Sequence, residues 1–178
     1  MKLLSFTILF LISVFNSNAQ QLSQNNVKTT IDFKIKNIGV YVDGNFNEII
    51  INSNFNKENL ETSFINAIIK VNSINTNSVK RDKHLLKSDF FDAANYATIK
   101  LVSTKIEKIL ENKYSLFAKL TIKNITKSIV IPLEIKESNE VIIIKSNFKI
   151  NRRDFNVGGR SLILSNIIKI QVVYNAEK

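Results

Sequence analysis

The chain has 178 residues, a formal net charge of +10, one His and no Cys. Without Cys there are neither disulfides nor thiolate metal sites, and a single His provides no imidazole cluster for a transition metal. Of the 25 basic residues only Arg81, Arg152, Arg153 and Arg160 are arginines, and the lysines are scattered singly. A phosphate-binding groove would concentrate them, so no nucleic-acid partner is expected. A dispersed lysine surface suits solubility or weak attraction to anionic headgroups.

Met1-Lys2, the apolar run Leu3 to Phe15 and the polar Asn16-Ser17-Asn18-Ala19 have the layout of an export signal, with cleavage expected after Ala19. The apolar run is shorter than the roughly 20 residues a membrane-spanning helix needs. The rest, residues 20–178, is the size of one domain, placed by this reading in a periplasmic or secreted location.

Beyond the leader the dominant period is two, which is the signature of β-strands. Ile31, Phe33 and Ile35 alternate with Asp32, Lys34 and Lys36, and Asp43-Gly44-Asn45 is read as a turn into a second strand from Phe46 to Ile51. Further strands are expected over Ile65 to Val71, Ile99 to Ser103, Tyr114 to Ile122, Ile129 to Ile135, Val141 to Ile150 and Ile167 to Tyr174. Asn56 to Ser63 reads as a short helix or loop. Ser78 to Asn95 places Leu85, Leu86, Phe90 and Phe91 at helical spacing and is expected to lie across an opening or flank of the sheet. Pro132 inside a predicted strand marks an edge, a bulge or a strand end. The expected fold is all-β with a short helical insertion: an elongated, eight-stranded antiparallel barrel, closed because closure removes aggregation-prone edges.

Catalytic machinery is not expected. A grouping of Ser88, Asp82 and His84 can be drawn, but no nucleophile elbow or oxyanion loop surrounds Ser88. Local hydrogen bonds that fix the helix to a barrel rim account for Arg81, Asp82 and His84. Asn151 to Gly159 holds two of the four glycines but lacks the strand-to-helix setting of a phosphate loop. An Arg-Asp pair stiffening a closing loop explains it, or else Arg152 or Arg153 meets a ligand head.

Four stretches in order, Ile35 to Phe46, Ser73 to Asp92, Leu120 to Lys127 with Pro132 following, and Asn151 to Gly158, resemble the motifs of the YceI-like polyisoprenoid-binding family. The chain departs from that pattern at Asn37, Ala97, Asn124 and Asn156. The last two replace glycines, and Asn tolerates a left-handed backbone better than most residues.

The resemblance implies a lipocalin-like elongated barrel with an apolar tunnel and a long-chain lipid inside it. Strand parity assigns the lining to Phe33, Ile35, Ile69, Val71, Ile99 and Leu101 from the first half and to Leu120, Ile131, Leu133, Ile168, Ile170 and Val172 from the second. Arg81, His84, Arg152 and Asp154 are the candidates for the ligand head or rim. No cofactor is expected beyond a bound isoprenoid quinone or similar lipid as ligand, and a homodimer and a transient membrane-surface contact remain open. The rival reading is an interaction module whose barrel is filled by its own side chains and whose basic surface docks a partner.

Overall fold

The computed structural model describes residues 22–178, so the expected leader and its cleavage point lie outside the described residues. Eleven strands form one antiparallel sheet: β1 (Ser23–Gln24), β2 (Thr30–Asn37), β3 (Val40–Phe46), β4 (Ile49–Asn54), β5 (Phe64–Lys70), β6 (Ile74–Asn75), β7 (Thr98–Leu110), β8 (Lys113–Ile122), β9 (Ile125–Glu137), β10 (Val141–Asn151) and β11 (Leu164–Glu177). Among the described residues the one α-helix is α1 (Val79–Leu85), and 3-10 turns span Val71–Ser73 and Arg152–Phe155. The 13 residues of β7 and of β9 and the 14 of β11 make the sheet tall.

The strand order is β4-β5-β7-β8-β9-β10-β11-β2-β3-β6, a curled sheet that forms a half-barrel. The expected closure is incomplete: the end strands β4 and β6 are not paired with each other, and the ends are linked only through the β3–β4 and β5–β6 connections, where the Asn47 N–H donates to the Ser73 carbonyl. β4 pairs with β5 while Phe46 of β3 pairs with Ile74 of β6. On the far side of β4 the Gln24 side chain does the work of a strand, donating to the Ile49 carbonyl and accepting from the Ile51 N–H. Apolar residues of alternate positions face inward and form one core, with Leu116, Ile142, Ile144 and Ala176 packed tightly toward one end.

Two expectations about the chain path are corrected. Asp43-Gly44-Asn45 is not a turn but the interior of β3, and the chain reverses at Ile38-Gly39, both with positive φ. Gly44 pairs with Phe33, whose ring lies so close that a Cβ would fall 2.3 Å from it. The glycine serves a close approach of side chain to backbone rather than a bend. The predicted strand from Phe46 to Ile51 therefore splits between the end of β3 and the start of β4, and the expected eight strands become eleven.

Asn56 to Ser63 takes the loop form, its start held by the Asn56 side chain accepting from the Glu58 N–H. Pro132 lies within β9, and the ladder to β10 stops at the pair Glu134↔Lys145, two residues away. Proline cannot donate to the ladder, and the Ser146 hydroxyl donates instead to the Pro132 carbonyl at 2.6 Å. Beyond that point β9 and β10 part, and the Arg152–Phe155 turn packs between β9 and β11 with Phe155 fully buried.

Candidate functional site: an apolar cavity beneath a helical cover

The inner faces of the strands enclose a cavity of about 630 Å³. Phe33 and Ile35 of β2, Ile69 of β5, and Ile99 and Leu101 of β7 line it, as parity requires. Leu120 of β8, Ile131 and Leu133 of β9, and Ile168, Ile170 and Val172 of β11 complete the predicted wall. Val71 does not belong to it. It is buried with the parity of Ile65, Ala67 and Ile69, and its N–H donates to the Ala97 carbonyl next to the Lys70↔Thr98 pair, but β5 ends at Lys70 and Val71 opens a 3-10 turn that lies off the cavity wall.

Wall residues that the parity argument left unnamed sit on the same faces, among them Ile31, Ile65, Phe148 and Ile150. The same period-two signal carries them. The foot of the cavity holds its few interior polar groups: the Tyr174 hydroxyl lies 2.8 Å from the Ser53 hydroxyl, and Ser146 is spent on Pro132. Burial pushes the Tyr174 phenol above its ordinary pKa, while the Ser53 hydrogen bond opposes this.

At the opposite end, the segment that begins with α1 covers the opening, with Leu85, Phe90 and Phe91 reaching the cavity. Ser78 caps α1 by accepting from the Arg81 N–H. Asp82 accepts from both the backbone N–H and the hydroxyl of Thr76, and Arg81 donates to the Thr76 hydroxyl at 2.8 Å and carbonyl at 2.6 Å. These bonds fasten the helix to the residue that follows β6. Asp82 is thereby separated in role from His84, whose Nε2 lies 3.2 Å from Asp89 with both side chains about half exposed. No triad with Ser88 is assembled. A run of rings, Phe33 to Phe46 at 5.7 Å and Phe46 to Phe91 at 6.3 Å, ties the cover to the β2–β3 hairpin.

The loop after β10 forms the rest of the mouth. Arg152 is only 2% exposed and donates to the carbonyls of Val157, Gly158, Gly159, Leu164 and Ser165. Burial draws its pKa below the usual value, and neighbouring Arg153 pulls the same way. Arg152 borders the cavity, but its guanidinium is committed to folding residues 157–165. The expected Arg-Asp pair is replaced by this arginine-carbonyl fan, because Asp154 stays exposed and off the cavity wall. Asn156 does adopt the left-handed conformation, with φ 52. At the β8–β9 turn that conformation falls on Lys123 rather than Asn124. Gly158 locks loop to cover: its N–H donates to the Asp89 carbonyl at 2.8 Å, and Phe90 packs against its Cα.

Among the described residues the cavity wall includes no Asp, Glu or Cys, and its basic members, Lys80, Arg81 and Arg152, come with His84 from the cover or the mouth loop. Such a site can bind by removing apolar surface from water, with cationic groups confined to the mouth and a few hydroxyls at the foot.

The chain matches the YceI-like domain over residues 23–176. A UPF0312 protein of Vibrio vulnificus is 30% identical over 106 residues, which cover 59% of this chain and 56% of the relative. One from Pseudomonas savastanoi pv. phaseolicola is 36% identical over 102 residues, 57% of this chain and 53% of the relative. The matched stretch thus spans little more than half of these relatives. Among solved structures, Burkholderia cenocepacia BcnA superimposes with TM-score 0.83 at 22% identity, covering 86% of this chain and 99% of BcnA. A polyisoprenoid binding domain from Saccharophagus degradans gives TM-score 0.69 at 15% identity, covering 89% and 98%. With the family match running from the first strand to the last, and the same curled sheet in these neighbours, the chain belongs to the YceI-like family.

Proposed function

We propose that the protein binds a long-chain apolar lipid, a polyisoprenoid, isoprenoid quinone or fatty-acid-like molecule, in the barrel interior and carries or sequesters it outside the cytoplasm. The observation that carries this reading is the cavity of about 630 Å³, walled by aliphatic and aromatic side chains from strands that surround it. Each buried methylene contributes about 0.8 kcal/mol, so a few isoprene units offset the cost of ordering the chain. Lys80 and Arg81 at the mouth suit a head group rich in lone pairs or negative charge. The likeness in fold to a polyisoprenoid binding domain supports the same class of ligand. The role is binding rather than catalysis. A barrel filled by its own side chains, the rival reading, sits poorly with an unfilled space of this size. The export leader read from Met1 to Ala19 accounts for the location.

Organic extraction and mass spectrometry of protein purified from its native host without detergent test this directly. A long-chain lipid in near-stoichiometric amount is expected. Protein that carries no such lipid and takes up no added isoprenoid quinone would sink the proposal.

A further inference from the structure

We infer that the mouth of the barrel is a docking surface for an anionic phospholipid bilayer. Five aliphatic side chains crowd the mouth without being buried: Ile38 is 70% exposed, Val40 68%, Leu162 106%, Ile163 57% and Val79 72%. They come from three separate segments, the β2–β3 turn, the loop before β11 and the start of α1. The Ile38 N–H donates to the Ile163 carbonyl at 2.9 Å, which joins the first two segments. Ser78, Lys80, Asn37 and Ile163 line one cavity, which sets the third around the same opening. Apolar residues gathered from distant segments onto exposed loop tips are a mark of an interaction surface.

Ile38 is the most telling of them. It has φ 51, a left-handed conformation that β-branched residues avoid and that tight hairpins normally give to Asn, Asp or Gly. Its side chain is largely exposed, so packing within the fold does not explain it. A strained position held by an exposed aliphatic residue points to a partner outside the chain.

The chemistry behind the tips identifies that partner. On the outer face of the hairpin Tyr41 is surrounded by the amino groups of Lys34, Lys36 and Lys169, at 5.8, 5.3 and 5.0 Å from its ring. Asp43 is already engaged by Lys34 at 3.0 Å. The acids on the cover are occupied as well, Asp82 with Thr76, Asp89 with His84 and Asp92 with Asn95; Asp154 is exposed. At about 3.3 Å per residue, Tyr41 lies roughly 7 Å from the Gly39 turn and the Lys34–Asp43 row roughly 13 Å. Aliphatic tips sunk about 5–10 Å into a bilayer leave a tyrosine at headgroup depth and lysines facing the phosphates, the layering of interfacial membrane anchors. Arg160 and Lys80 add exposed positive charge around the opening. A protein surface as partner would match such tips with a concave apolar patch, whereas the layering by depth fits a lipid interface. If the cavity holds a lipid, as proposed above, this orientation lets it enter without crossing water.

Sedimentation with vesicles of phosphatidylcholine alone, and of equal parts phosphatidylcholine and phosphatidylglycerol, tests the inference without any isoprenoid present. Binding to the phosphatidylglycerol vesicles that weakens with salt is expected. The double variant Ile38→Asn, Leu162→Ser should reduce it on the order of tenfold or more. Lys36→Gln and Lys169→Gln should each reduce it by up to about fivefold at low salt. Ile38→Asn relieves a strained turn, so the double variant should melt no lower than the parent, which separates lost docking from lost folding. Neither Ile38 nor Leu162 lines the cavity, so quinone uptake should survive in this variant and reports separately on the cargo reading. Absence of vesicle binding, or binding that the double variant leaves intact, overturns the inference. A dimer that the same variant dissociates, with no vesicle binding, overturns it in favour of a second copy of the chain.

Discussion

The Tyr174 hydroxyl sits 2.8 Å from the Ser53 hydroxyl and joins β11 to β4 at the foot of the cavity, where β1 bridges the same two strands. Ser53 is completely buried and Tyr174 is 2% exposed. Each hydroxyl therefore depends on the other, in surroundings with little water to replace a lost partner.

Removing one partner should cost more than removing both. Tyr174→Phe or Ser53→Ala is expected to destabilise the protein by about 1–3 kcal/mol, because a buried hydroxyl is left unsatisfied. The double variant should lose less than the sum of the two. Denaturant unfolding of all four proteins gives the coupling, and additive losses would show that the hydroxyls do not depend on each other.

Alkaline pH should weaken the fold through the buried tyrosines. Burial raises the phenols of Tyr174 and Tyr114 above the usual value of 10.0, and for Tyr114 the charges of Glu137 and Glu58 add to the effect. A group whose folded pKa is raised holds its full contribution below the unfolded pKa and loses it as pH rises toward and through the folded one. Stability should accordingly fall from about pH 10 upward, and less steeply in Tyr174→Phe. Tyr41 behaves oppositely, since the hydrogen bond and charge of Lys169 lower its pKa. Phenolate absorbance should therefore show Tyr41 ionising first, with Tyr174 and Tyr114 following late or only on unfolding.

Adjacent glycines should respond differently to the same change. Gly158 has φ +60, and a Cβ there would come within 2.7 Å of the Phe90 ring, so Gly158→Ala is both strained and crowded. A loss of roughly 1–3 kcal/mol is expected, with faster hydrogen exchange at the Gly158 N–H that bonds to Asp89. Gly159→Ala meets nothing within 4 Å and should change the melting temperature little. Equal effects at both positions would contradict the packing of the loop on the cover.

The chain has no tryptophan, so one introduced into the cavity becomes a clean reporter. Ile168→Trp places an indole on the wall, in open space rather than in the tight core near Ile142, and should fold with a cost below about 2 kcal/mol. Uptake of an isoprenoid quinone should quench its emission, and the bulk of the ring should weaken affinity. Emission that ignores a quinone bound elsewhere would place the ligand outside the barrel.

Much of the barrel is legible because the strands alternate cleanly. Phe33 and Ile35, or Ile168, Ile170 and Val172, declare their face without help, and eleven of the twelve residues assigned to the wall border the cavity. The failures arise where a distant contact overrides local composition. Asp43-Gly44-Asn45 has the residues of a turn, but the glycine is there to admit the Phe33 ring from the neighbouring strand. The true reversal is hidden because Ile38 is a poor turn former. Val71 keeps the inward parity, but the strand gives way there to a 3-10 turn that alternation does not announce. Arg152 looks like a surface cation, and only the carbonyls that converge on it from residues 157–165 reveal a buried strut.

The early end of the β9–β10 ladder at Pro132 gives the barrel a property that a fully bonded one lacks. A continuous ring of strands has a girth fixed by its strand number and stagger, and widening it means breaking backbone hydrogen bonds. Here one seam is unstitched from Pro132 to the mouth, filled by Phe155 and its turn rather than by a ladder. Along that seam the girth of the barrel is set by the packing of Phe155 and by the Arg152 hydrogen bonds instead of a strand ladder.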